Sequence, residues 1–162
     1  MTDTNTEKLK FKLELWSTHW DKTPVAEILI NDTRHYRAEI TGTEDKPSVI
    51  EFEQTLEEGK EYTLKIVRSA KDTRQTVVED GKIVKDQLLH IKSIEIDEID
   101  IGALVYEGLY TPAYPEPWAT QQRSAGVDLP VSFKNVTTVG HNGVWELKFS
   151  SPFYMWLLEN LY

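Results

Sequence analysis

The chain has no cysteine. No disulfide framework and no thiolate-bound metal can form, so the fold must hold by packing alone. No run of about 18 apolar residues occurs, which argues against a membrane-crossing helix. The opening MTDTNTEK lacks the apolar stretch of a secretory leader, so export by that route is not expected. Catalytic signatures are missing too. There is no G-x-S-x-G, no H-E-x-x-H and neither glycine-rich phosphate loop. Positive charge is in short supply, with 18 Lys and Arg against 27 Asp and Glu and a net charge of −9. Phosphate backbones and anionic membranes are repelled by such a field, whereas calcium and neutral glycans are compatible with it. Helical periodicity is nearly absent before Gly102.

What is present is alternation. Leu9, Phe11, Leu13 and Leu15 are separated by Lys10, Lys12 and Glu14, the period of a half-buried strand. Ala26–Ile30 predicts a second strand and Tyr36, Ala38 and Ile40 a third, joined as a hairpin at Asn31-Asp32. Val49–Phe52 and Tyr62–Ile66 read as strands, with turns at Glu58-Gly59 and Asp80-Gly81. Leu88–Ile101 is the longest β signal, and its apolar phase changes twice. Leu89 and Ile91 share one face, Ile94 and Ile96 another, Ile99 and Ile101 a third, which predicts bulges or bends. Disorder is expected only at the polar Met1–Glu7.

The composition shifts after Gly102. Residues 103–162 hold 11 of the 17 aromatics, from Tyr106 to Tyr162. Pro112, Pro115 and Pro117 predict an extended segment up to Trp118 that cannot be a central strand. Leu129–Phe133 reads as a strand. His141-Asn142-Gly143 predicts a tight hairpin turn before the alternating Trp145, Leu147 and Phe149. Ser150-Ser151-Pro152 predicts a serine-capped short helix over Phe153–Leu161. The expected fold is all-β: a jelly-roll-like β-sandwich with an aromatic, Pro-rich C-terminal extension ending in a short helix. Residues 8–102 form the body, and 103–162 an extension packing on it or on a neighbouring subunit.

Four constellations could carry chemistry. Asp72, Asp80 and Asp86, with Asp97, Glu98 and Asp100, could offer oxygens to calcium, although a strongly acidic chain also carries solvated carboxylates. His19, His35, His90 and His141 have no close metal-ligand spacing, and His90 sits among apolar neighbours as a core or face residue does. No carboxylate lies in an apolar run that would raise its pKa, which speaks against acid–base catalysis. Aromatic recognition is the fourth. Trp16, Trp20, Tyr110, Tyr114 and Trp118 fall at strand ends or in loops, where they either cover the core edge or anchor a ligand or partner. A proline-stiffened arm loses little entropy on docking, which favours a protein partner.

The body resembles the calcium-dependent xylan-binding carbohydrate-binding modules over roughly residues 9–102. The likeness rests on the hairpin at Ile28–Asp32 (ILIND), the strand Leu64–Val67, the Lys71-Asp72 turn and the closing run Lys85–Ile91 with Ser93–Ile96. In that family an acidic turn and an Asp-Arg-Asn-Leu run supply calcium and sugar contacts. Asp72 and Asp86 match those positions, while Gln87-Leu88 replaces the Arg-Asn pair and Lys71 replaces an Asn. The Gly140–Leu147 run with SPFYMWLLENLY at Ser151–Tyr162 resembles small structural proteins of tailed phages, especially those of marine cyanobacteria. That resemblance implies a virion component assembled in the host cytoplasm, with other virion proteins as partners in an oligomeric assembly and a host-surface glycan as a further partner. Nucleic acid, membrane and cofactors other than calcium are not expected. The expectation is therefore a non-catalytic virion decoration or attachment protein. A calcium-assisted glycan-binding module and a polysaccharide-acting enzyme are the alternatives.

Overall fold

The computed structural model describes residues 5–72 and 74–161. Tyr162 and the first four residues of the polar N-terminus lie outside them. Thr6 and Glu7, expected to be disordered, instead begin the first strand.

The strands are β1 (Thr6–Thr18), β2 (Val25–Ile30), β3 (Thr33–Glu39), β4 (Ser48–Glu57) and β5 (Glu61–Ser69). They continue with β6 (Val77–Glu79), β7 (Lys82–Lys85), β8 (Leu88–Ile96), β9 (Ile99–Asp100) and β10 (Leu109–Pro112). The last three are β11 (Phe133–Lys134), β12 (Thr138–Val139) and β13 (Gly143–Ser150). A 3-10 turn spans Gly102–Glu107, and two helices follow, α1 (Trp118–Ser124) and α2 (Phe153–Leu161).

Two antiparallel sheets face each other. The first runs β12-β8-β1-β4 with β9 on β8, and the second runs β11-β10-β13-β5-β2-β3. Their inner faces are the alternating residues of the sequence. Leu9, Phe11, Leu13 and Leu15 of β1 meet Trp145, Leu147 and Phe149 of β13 in one buried cluster with Ile28, Leu64, Ile66 and Ile94. Phe11 and Phe149 join the sheets directly, ring centroids 6.1 Å apart. Among the described residues, no helix is long and apolar enough to cross a membrane.

The phase changes in 88–101 have a structural cause. Leu15 pairs with Ile91 but Glu14 pairs with Ser93, so Lys92 is an extra residue and the apolar face resumes at Ile94. Asp97 and Glu98 then turn the chain at φ 56° and 68°, and β9 folds back on β8. Asp80 and Gly81, at φ 52° and 76°, likewise close a hairpin, β6–β7, whose strands the sequence reading did not include.

The late segment departs further from expectation. β13 lies between β10 and β5 in the second sheet, so part of 103–162 is a central strand of the sandwich and not an addition to it. The stretch after the prolines becomes α1 at Trp118, where an extended piece was expected. Of Leu129–Phe133 only Phe133 enters a strand. The His141–Gly143 segment is not a hairpin turn. β12 pairs with β8 in the first sheet and β13 pairs with β5 in the second, so the segment is a corner between sheets. α2 forms as expected, but its N-terminus is not capped by a serine. The Glu7 carboxylate of β1 accepts the Phe153 N–H at 2.9 Å and the Ser151 hydroxyl.

Candidate functional site

Four chain segments meet where β13 begins. β5 ends there at Ser69 and passes into 70–76, β7 passes through Asp86-Gln87 into β8, the 140–142 corner enters β13, and β10 leaves through Pro112 towards α1. The cleft between them encloses about 370 Å³. One wall is Ala113, Pro115, Trp118 and His141, and the other is Lys71, Asp72, Thr76 and Val78. That volume falls within the range of small-ligand sites, and an apolar wall facing a few polar groups is their usual composition.

The aromatic cluster beside the cleft, of which Trp118 and His141 line it, is assembled from separate segments. Tyr114 and Trp118 come from the proline segment and the first residue of α1, and His141 from the corner. Ring centroids are 6.1 Å apart for Tyr114–Trp118, 5.1 Å for Tyr114–His141 and 5.6 Å for Trp118–His141. Tyr114 is pinned by donating its hydroxyl to the Pro130 carbonyl at 2.6 Å. The proline arm thus folds over His141 of its own chain.

The polar wall is tied by Lys71. Its N–H donates to Asn142 Oδ1 at 3.0 Å, and Asn142 Nδ2 donates back to the Lys71 carbonyl at 2.9 Å. The Lys71 ammonium reaches Asp86 Oδ1 at 2.8 Å and also the Gly140 carbonyl. Asp86 Oδ1 accepts two more donors, the Thr76 hydroxyl at 2.7 Å and the Gln87 N–H at 2.8 Å. Burial alone would raise the Asp86 carboxyl, but these hydrogen bonds, Lys71 first, and the Lys71 charge hold it below the usual carboxylate range. Burial lowers the Lys71 ammonium against the opposing pull of Asp86.

Beneath the cleft the core ends in Arg68. This buried guanidinium donates from Nη2 to both the carbonyl and the side-chain oxygen of Gln87, each at 2.7 Å. Burial lowers its pKa to about 10, which leaves it charged at neutral pH. Burial, followed by the charges of Lys71 and Arg68, presses His141 below the ordinary histidine value, with Asp86 opposing.

The sequence candidates separate in space. Trp118 lines the cleft, and Tyr114 packs against it without entering the lining. Tyr110 is not among the residues lining the cleft. It is only 3% exposed, and its hydroxyl donates to the His141 carbonyl at 2.7 Å, so it supports the corner from within. Burial pushes its pKa up to about 12. Trp16 lies on the first sheet, stacked on His90 at 3.8 Å. Trp20 is exposed but held, donating Nε1 to the Gln75 carbonyl at 2.9 Å with the Lys85 ammonium 4.6 Å over its ring. His19 bonds Ser17 and His35 bonds Gln54.

Asp72 and Asp86, the expected calcium ligands, are each held by cationic side chains. Calcium takes six to eight oxygens, several of them from carboxylates. Among the described residues no group of three or more His, Asp or Glu gathers in that way. Asp86 is engaged by Lys71, and Asp72 by the N–H and guanidinium of Arg74 and by Lys22 at 3.5 Å. Sequence reasoning missed Lys71, Asn142, Pro115 and Arg68 as site residues. The replacement of an Asn by Lys71 was the one visible signal.

No family model and no curated protein matches the sequence. A solved structure does match the fold. It is the selenomethionine form of vCBM60, described as part of an evolutionary link by circular permutation between two families of calcium-dependent carbohydrate-binding modules. The TM-score is 0.50 at 7% identity, over 85% of this chain and 88% of that one. At that identity the likeness establishes a shared β-sandwich fold.

Proposed function

We infer that the chain is a non-catalytic binding module that takes a neutral glycan in the cleft beside Trp118. The observation that carries this reading is the Trp118–His141 wall, backed by Tyr114 and set across about 370 Å³ from a hydrogen-bonded polar loop. Ring faces pack against the apolar face of a sugar, and the loop carries groups for its hydroxyls. A net charge of −9 disfavours an anionic ligand. A non-catalytic role accords with the lining. Among the described residues it holds one carboxylate, Asp72, engaged by Arg74 and Lys22, and not the pair of carboxylates that glycoside hydrolysis uses. The fold shared with a carbohydrate-binding module adds support.

The test is a glycan array probed with the full chain and with Trp118→Ala. Binding to neutral glycans should appear and fall at least about tenfold in the variant, as for an aromatic hot spot. A uniformly flat array with the native chain sinks the reading.

A second reading, a decoration or attachment component of a tailed-phage particle, is favoured by the outer face of α2. Tyr154, Met155, Leu158 and Leu161 are all exposed on a helix already anchored by Phe153 and Leu157. Exposed apolar patches of this kind mark protein contacts. Leu158→Glu with Met155→Glu should abolish incorporation into particles while leaving the fold intact.

A further inference from the structure

We propose that Lys71 is a built-in cation, its ammonium holding together the loops that frame the cleft by the kind of oxygen contacts a bound metal ion makes. The bonds to Asp86 Oδ1 and the Gly140 carbonyl are oxygen contacts to a positive centre, reaching 15 and 69 residues along the chain. The side chains of Lys71 and Asp86 are only 10% and 18% exposed, so the pair is shielded from solvent and salt. The backbone of Lys71 is clamped twice by Asn142. One residue therefore joins the segment after β5, the β7–β8 link and the β12–β13 corner.

The same arrangement opposes calcium. Three donors already converge on Asp86 Oδ1. A divalent ion at that oxygen would meet the Lys71 ammonium directly, with the charge of the buried Arg68 guanidinium also acting there, and would have to displace one of its three donors. This inference does not rest on the glycan reading, because its tests measure the cation and the fold and not ligand binding.

Thermal unfolding of the full chain, stripped with EDTA and then supplied with millimolar calcium chloride, should give one melting temperature within about a degree, since a ligand that does not bind the native state cannot stabilise it. A calcium-dependent rise of several degrees overturns the proposal. Lys71→Met should lower the melting temperature by roughly 5–10 °C, as expected for stranding a partly buried carboxylate, and Lys71→Arg should recover part of the loss. Equal melting of native chain and Lys71→Met overturns it too. If the methionine variant does not fold, NMR of the ¹⁵N-labelled native chain decides. One lysine ammonium should be protected from solvent exchange and disappear in Lys71→Arg, and absence of a protected ammonium in the native chain refutes the assignment.

Discussion

The two ends of the sandwich are closed in opposite ways. Where β13 finishes, the closure is apolar. Phe11 stacks on Phe52 at 4.9 Å and meets Phe149, Phe149 meets Trp156 at 6.2 Å, and Phe153 of α2 is fully buried against the same group. Where β13 begins, the core ends in Arg68, Gln87, Lys71 and Asp86, joined by hydrogen bonds. Apolar closure is non-directional and contributes stability in proportion to the area removed from water. A buried polar network contributes less net stability, yet it fixes loop positions because each missing partner leaves a costly orphan. The cleft lies at the end whose loops are fixed in this way, and the outward apolar face of α2 at the end built for packing.

The largest test of this contrast is Phe153→Ala. It should cost about 3–5 kcal/mol in urea unfolding, the range for deleting a buried phenyl ring. Ligand binding per folded molecule should not change, because the cleft is at the other end. A cost below about 1 kcal/mol would mean that α2 does not close the core. A smaller effect is expected from Glu7→Ala. Ser151 and Phe153 both lose their acceptor, and the loss of a helix cap is worth about 1–2 kcal/mol. Denaturant midpoints of the two variants measured together separate packing from capping at one end of the molecule.

The same contrast explains what could be read in the sequence. Strands were legible wherever one face enters the apolar core, as with Leu9–Leu15 and Trp145–Phe149, because burial imposes a period of two. The bulge at Lys92 was legible as a break in that period. Partner choice was not. Asn142-Gly143 has the local chemistry of a hairpin, but β12 pairs with β8 and the chain crosses to the other sheet, a choice made by long-range pairing. α1 has seven residues and buries only Ala119, too little to leave a helical stripe. At the site, Tyr114 and Trp118 stood out as aromatics beside proline, whereas Lys71 is an ordinary lysine until Asp86 and Gly140 are brought to it. The burial of Tyr110 was not legible for the same reason, since nothing local distinguishes a core tyrosine from a binding one.

The smallest effect, and the one specific to the polar end, is a pH dependence. Within the fold, burial and then the positive charges of Lys71 and Arg68 lower the His141 pKa, with Asp86 opposing. His90, half-buried and stacked on Trp16, is lowered by its partial burial as well. In the unfolded chain both return to about 6.5. Between the two values the unfolded chain binds more protons, so stability must rise with pH there. The contribution is complete above about pH 6.5 and is lost as the pH falls through the folded-state values. Asp86, also lowered, acts in a separate and more acidic window below the unfolded carboxylate value. Urea midpoints from pH 7.5 to 5 should therefore decline for the native chain, and His141→Phe, which keeps a ring against Tyr114 and Trp118, should flatten the decline in part. An unchanged slope would mean that neither burial nor the charges of Lys71 and Arg68 shift His141, and the electrostatic distinction between the two ends would fail at that residue.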